Sequence, residues 1–528
     1  MKNFFRCLFP AYVIPLLFLN ALIFADDVFL TLGTSYWCRA AFLGANDNFV
    51  RGDRYFNDPK IQFPLKDMKF RAMRYSGGTV SSYWDYQNDT FVDYDRLYDF
   101  LDSQGDAYSI FKDLIDANPP GVFGHKRFYS DIAAADQWFI CAYILNVATR
   151  TPEQSLADLN KIIADNAYNP GQLIIELDNE LYFNEFKNVL WPVAEYPDAC
   201  KQAEAYIDEN SMTLECARNA GIALVGAPNS LMATKDYKYL GSTTWLAGLT
   251  NKKTQYDGLA LHDYGLDDIF IDGFSEDWQK RVAFVTYGMA AYSNIYANMK
   301  RHFNYKSAYI TEYNTAYWKS NVFLLTANSS FLCGLSTLGR LIAACNYGDV
   351  IKGMFHHGLW HESSAYRFGF VKQDTDGTIL LNCSGQIAAH FNTIYRMSQK
   401  ITPAFNNSPL AGITVYGQTP RRTSTLFLTH TDPARDDYLI ILEAGTGDVV
   451  KFNNPNLLYK SMAVYTYRGE EVWKPEGTKS WSMIDGNGYI PWIDGPMRPA
   501  LKESVLLESQ ISIDSPAFSA IFVHLSKQ

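Results

Sequence analysis

GQLIIELDNELYFN, residues 171–184, sets Glu176, Asp178 and Glu180 into or beside an apolar run, where an uncompensated charge is costly. Its core reads as a strand over QLIIELDNE (172–180), with the acids gathered toward the carboxyl end. Seven more runs of this kind recur along the chain: VFLTLGTSY (28–36), KFRAMRY (69–75), QWFICAYIL (137–145), IALVGAPN (222–229), DGLALHDY (257–264), SAYITEYN (307–314) and IKGMFHHGLW (351–360). Helical patterns lie between several of them, among them PEQSLADLNKIIADNA, CKQAEAYIDENSMTLECARNAG and VAFVTYGMAAYSNIYANMKRHF. Strands alternating with amphipathic helices imply parallel βα units, and eight such units predict an α/β fold, a (β/α)8 TIM barrel with loop insertions. A doubly wound open sheet is the rival, weakened because no G-x-G-x-x-G follows a strand and no P-loop is present.

After the helical segment SGQIAAHFNTIYRMSQK (384–400) the character changes. ITVYG, TSTLFLTHT, YLIILEAG, SMAVYTYRG, VLLESQISI and FSAIFVHL are short alternating runs split by turn clusters such as DPARDD, GTGD and DGNG. That pattern predicts a C-terminal all-β sandwich domain over 401–528, behind a catalytic barrel over 26–400.

The remaining bounds are compositional. The chain has 528 residues, 48% of them hydrophobic and 19% charged, which suits a globular protein of more than one core. Aromatic content is 15%, with 35 Tyr and 11 Trp; a Tyr-rich core would account for it, and so would a flat amphipathic surface of the kind sugars use. A formal net charge of −10, with no basic cluster, argues against nucleic acid as the main partner. MKNFFRCLFPAYVIPLLFLNALIFADD opens with Lys2 and Arg6, then a short apolar core, then small residues, so residues 1–25 read as a cleaved signal peptide. Secretion, with no stable membrane span after signal cleavage, follows from that reading. Without Cys7, seven cysteines remain, an odd number that leaves at least one unpaired within the chain. Sequons stand at Asn88, Asn328, Asn382 and Asn406.

If 172–180 is a barrel strand, its carboxyl end lies at the mouth where active sites of this fold sit. Glu180 is there, and Glu312 closes SAYITEYN in the same way. Two carboxylates facing one cleft are what glycosidic cleavage requires: one protonates the leaving oxygen while the other attacks or stabilises the anomeric carbon. One must be held protonated and the other ionised.

The arrangement resembles the clan A retaining glycoside hydrolases, in which strand four ends in Asn-Glu and strand seven in Glu. By the strand count above, Asn179-Glu180 closes strand four and Glu312 strand seven. RYSGGTVSSYWDY (74–86) after strand two is similar to the Arg-Tyr-Pro-Gly-Gly segment of arabinofuranosidase-like, xylosidase-like and heparanase-like members, with Ser76 in place of the Pro. The resemblance implies that Glu180 is the general acid/base and Glu312 the nucleophile, that Asn179 holds the sugar 2-hydroxyl, and that Arg74 binds the nucleophile and lowers its pKa. Gly77 and Gly78 would let backbone approach the sugar. His262 and Tyr264 end strand six, where members place a His or Tyr beside the nucleophile, and Trp360 ends strand eight, placed to stack on a sugar face.

Each residue also has a plainer reading. Glu176 and Asp178 share strand parity with Glu180 and read as ion-paired structural acids, Asp178 being the fallback acid. Glu312 could be only a salt-bridge partner of Arg74, His262 a hydrogen-bonded rim residue, and Trp84 and Trp318 packing residues. HHGLWHE offers His356, His357, His361 and Glu362 as a metal-like set, but Gly358 interrupts a strand there, so no metal and no cofactor is expected. No G-x-S-x-G elbow is present. The sequence thus predicts a secreted retaining glycoside hydrolase acting on a polysaccharide or oligosaccharide, against the alternatives of a catalytically silent carbohydrate-binding protein and an inverting hydrolase.

Overall fold

A computed structural model of the chain describes residues 26–46, 67–92, 94–103, 140–166, 173–180, 208–219, 223–230, 254–265, 278–304, 306–315, 330–358, 369–373, 379–408, 421–445, 447–468 and 499–528. Eight strands close a parallel barrel: β1 (Gly44–Asn46), β2 (Ala72–Tyr75), β3 (Ile140–Leu145), β4 (Leu173–Leu177), β5 (Ala223–Ser230), β6 (Gly258–Asp263), β7 (Ser307–Tyr313) and β8 (Ile351–His356). The ring is completed by β8 pairing with β1, Phe355 opposite Gly44 and His356 opposite Ala45. A side chain at Gly44 would have to occupy the space of the Met354 carbonyl and the Phe355 ring, so glycine lets the shortest strand sit close to β8.

One expected barrel strand belongs elsewhere. The stretch read as strand one, 28–36, forms Asp26–Leu32, which pairs parallel with Gly447–Asn453 and antiparallel with Lys400–Asn406 in the second sheet. Alternation and β-branching mark a strand but do not say which sheet receives it. The true β1 is three residues long and carries no apolar run to announce it.

The second sheet has ten strands and is all-β, built mainly from residues C-terminal to the helix Cys383–Met397. Val28, Phe427, Ile441, Val450, Ile513, Ile521 and Val523, contributed from both wings of the sheet, pack together as a sandwich core. The helix Phe331–Asn346 joins the two units. Its residues from Phe331 to Cys345 are buried on every side, and its few polar side chains are paired there, Arg340 with Asp263 and Ser336. It packs on the helix Trp278–His302 and on Cys383–Met397, and its terminal Asn346 donates to the Thr425 carbonyl at 2.8 Å across the junction.

Of the described cysteines, Cys38, Cys141, Cys216 and Cys345 are free thiols; Cys200 lies outside the described residues. Of the sequons, Asn88 is exposed, whereas Asn382 is buried and caps the helix Cys383–Met397 by accepting from the Gly385 amide at 2.8 Å. Asn382 is therefore closed to a glycan in the folded chain, and Asn328 lies outside the described residues. Among the described residues, no helix is long and apolar enough to cross a membrane.

Candidate active site

Four strands deliver the functional groups to one end of the barrel. Arg74 comes from β2, Glu176 and the turn Asp178–Glu180 from β4, His262 and Tyr264 from β6, and Glu312 from β7. Residues Arg74, Glu176 and His262 stand on alternate strands, the arrangement that places side chains in one layer of a barrel interior. Register brings His262 directly beside Glu312, with a local irregularity between Leu261 and His262.

Arg74 is the hub and is fully buried. Its Nε donates to Glu176 Oε2 at 2.6 Å, and one Nη to Glu176 Oε1 at 2.9 Å and Asn179 Oδ1 at 2.8 Å. The other Nη donates to Glu312 Oε1 at 2.6 Å and to Asn46 Oδ1 at 2.9 Å. A guanidinium has five N–H groups, and each has an acceptor here. Asn46 is in turn fixed by donating to the Thr311 carbonyl at 2.8 Å.

Glu312 receives Arg74 on Oε1 and the Tyr264 hydroxyl on Oε2, and His262 Nδ1 lies 3.5 Å from Oε2. Burial alone would raise its pKa, but the facing His262, His357 and Arg74 charges and the Tyr264 hydrogen bond hold it well below the usual carboxylate range. Glu180 is held from one side by His262 Nδ1, 2.8 Å from Oε1. Its side chain is 16% exposed, against 5% for Glu312, so the acid from β4 is the more open of the two. Burial works against a charged His262, yet Glu312 and Glu180 lift its pKa to about 9. One donor atom from each of Glu180, His262 and Glu312 lies within 4.8 Å of the others.

The turn that presents Glu180 is unusual. Asp178 and Glu180 have φ of 59° and 50°, in the left-handed region that costs an L-residue about 1–2 kcal/mol. Asp178 secures it: Oδ1 accepts from its neighbour's amide, Asn179 N, at 2.8 Å and from Ser82 Oγ, and Oδ2 accepts from the amides of Val147 and Ala148, each at 2.8 Å. With both oxygens so occupied and no exposure, Asp178 is a fastener, and the fallback acid role is withdrawn. Gly77 and Gly78 carry φ of 77° and 62°, conformations that suit glycine in the turn after β2.

Of the residues expected at the site, Arg74, Asn179, Glu180, His262, Tyr264 and Glu312 converge here. Trp360, with Trp318, His361 and Glu362, lies outside the described residues. Trp84 is buried against Phe91 in the core, and His356 stacks on Phe370, 3.5 Å between ring centroids, with Nδ1 turned to the Gly358 carbonyl. Sequence reasoning missed Asn46, on the strand it did not find, and Thr311, whose hydroxyl donates to Glu176 Oε1 at 3.0 Å. Thr311 precedes the expected nucleophile by one residue, and its polarity in an apolar strand was the available signal.

The fold, a (β/α)8 barrel with an appended sandwich, is similar to that of solved family 51 and family 44 glycoside hydrolases. Among solved structures it is similar to a family 51 alpha-L-arabinofuranosidase from Bifidobacterium longum, at 12% identity over 95% of this chain and 100% of that one, with a TM-score of 0.67. A family 51 arabinofuranosidase from Xanthomonas axonopodis pv. citri gives a TM-score of 0.64, with the same identity and coverage. A family 44 endoglucanase from Clostridium acetobutylium gives 0.56 at 11% identity, again over 95% of this chain and 100% of that one. No protein-family model and no curated protein matches the chain by sequence.

Proposed function

We propose that this protein is a retaining glycoside hydrolase in which Glu312 is the nucleophile and Glu180 the general acid/base. The observation that carries the reading is the approach of a Glu180 oxygen to within 4.8 Å of a Glu312 oxygen at the barrel mouth. Such closeness suits direct attack, for which the two carboxyl groups stand about 5–5.5 Å apart, and leaves too little room for the water of an inverting mechanism at about 6.5–9.5 Å. Glu312, ionised by its cationic surroundings, attacks the anomeric carbon while Glu180 protonates the departing oxygen. Glu180 then takes a proton from water, which releases the sugar from Glu312. With Asn179 Oδ1 accepting from Arg74, its amide nitrogen is the group to meet the sugar 2-hydroxyl, and Trp360 is the expected stacking face. No cofactor enters these steps. A polysaccharide or oligosaccharide is the expected substrate, and residues 1–25 are read as a signal peptide for export.

Chromogenic aryl glycosides of arabinofuranose, xylose, glucose and glucuronic acid test the reading. The wild type is expected to hydrolyse at least one of them with retention of anomeric configuration. Glu312→Ala should lose activity on every leaving group, whereas Glu180→Ala should lose it on poor leaving groups and keep most of its kcat/KM on dinitrophenol, whose departure needs no proton, while kcat falls because the base for the second step is gone. Activity in neither the wild type nor the variants would favour a silent carbohydrate-binding protein, and activity surviving in Glu312→Ala would remove that residue from its role.

A further inference from the structure

Glu176 is a third carboxylate beneath the pair, fully buried, on the barrel axis side of β4, and the reaction outlined above gives it nothing to do. An ionised acid in that position has to be matched by cations, and the match is unusually complete. Both of its oxygens accept from Arg74, Oε1 also accepts from Thr311 Oγ1, and His262 Nε2 lies 3.8 Å from Oε1, within ion-pair range. Arg74 is the residue that grips Glu312, and His262 is the residue that grips Glu180. Glu176 therefore touches the supports of both catalytic acids and neither acid itself.

We propose that Glu176 is the positioning residue of this site, one buried anion that orients Arg74 toward Glu312 and His262 toward Glu180 at the same time. The inference rests on the glycosidase reading for its kinetic consequences but not for its structural ones. Glu176 takes Nε and one hydrogen of an Nη, and with Asn179 on the second hydrogen of that Nη and Asn46 on the other Nη, the guanidinium keeps a single hydrogen bond for Glu312. A two-pronged grip would tie up both nucleophile oxygens; the single one leaves Oε2 to the weaker hold of Tyr264. On the other side, the negative charge near Nε2 keeps the imidazole ring charged and its Nδ1–H aimed at Glu180. The charged and titratable groups around that ring are Glu176 and Glu180 from β4 and its turn, Glu312 from β7, Arg74 from β2, Tyr264 from β6 and His357 after β8.

The test pairs two readouts on Glu176→Gln, which keeps the shape and removes the charge. The His262 titration, followed by NMR of histidine-labelled protein, is expected to move down by at least one pH unit relative to wild type. On the aryl glycoside the wild type cleaves, kcat is expected to fall about 10- to 100-fold with KM within twofold, as for a reacting group displaced without loss of binding. The alkaline limb of the pH profile should fall with the His262 midpoint, which a merely structural acid would not cause. If Glu176→Gln does not fold, Glu176→Asp decides: it keeps the charge but withdraws it from Arg74, and should lose at least tenfold in kcat with KM unchanged. An unchanged His262 midpoint in Glu176→Gln, or full kcat in Glu176→Asp, overturns the proposal. A wild type inactive on all glycosides would instead count against the glycosidase reading, while the titration still judges Glu176.

Discussion

Arg74 shows how single side chains divide the work. It spends all five donors on four partners inside the barrel, so its role is to hold an arrangement, and Glu312 is one of several things held. His262 is the residue whose protonation links that arrangement to pH. Its folded-state pKa of about 9 stands above the ordinary 6.5 because Glu312 and Glu180 favour the charged ring despite burial. A raised value means that the stabilisation from His262 is fully present below about pH 6.5 and is lost as pH rises through 9. Denaturant unfolding across that window should show wild type losing stability by more than His262→Gln does, by about 3 kcal/mol at most. Equal slopes for the two proteins would remove the imidazolium from the site. Most of these residues were legible in the sequence, because Arg, Glu, His and Tyr at strand ends are costly to place by chance. Asp178 was read as a structural acid and is one, but spacing could not show that its partners are backbone amides and the Ser82 hydroxyl in place of an ion pair.

At the level of elements, the barrel depends on close approaches that small residues permit. Gly288, in Trp278–His302, faces Arg340 in Phe331–Asn346, and a Cβ there would lie 2.9 Å from the Arg340 Cα and 3.0 Å from its backbone nitrogen. Arg340 itself is buried, its Nε on Asp263 Oδ2 at 2.8 Å at the end of β6, so the helix pair is keyed to the strand that carries His262 and Tyr264. Gly288→Ala should therefore destabilise the protein by about 1–3 kcal/mol through overpacking, even though alanine favours helix. Thermal unfolding of the variant checks this, and a stability at or above wild type would show that the helices can part without cost. Strands β2 to β8 announced themselves as apolar runs, since strands covered on both faces have few polar positions. β1 did not, because three residues ending in Asn46 have no pattern. In the second sheet, Lys400–Asn406, Gly447–Asn453 and Ala500–Val505 went unrecognised: the buried polar residues Thr402 and Asp448 interrupt the first two, and the third is largely exposed.

The whole molecule is a barrel and a sandwich tied by the helices Phe331–Asn346 and Cys383–Met397, the latter stacking His390 on Phe522, with the chain entering the sandwich at Asp26–Leu32 before it builds the barrel. That return path was illegible because pairing between residues 26–32 and 447–453 is a contact across most of the chain, which local patterning does not report. What the topology achieves is convergence: four strands scattered over residues 72–313 bring two glutamates to one opening. Trapping the glycosyl-enzyme tests that convergence most directly. The wild type is incubated with the 2-deoxy-2-fluoro derivative of whichever activated glycoside it cleaves, and the mass gain is mapped by peptide sequencing. The account predicts one sugar equivalent on Glu312, absent from Glu312→Ala; a label on Glu180 or Asp178, or turnover with inversion and no label at all, would contradict it.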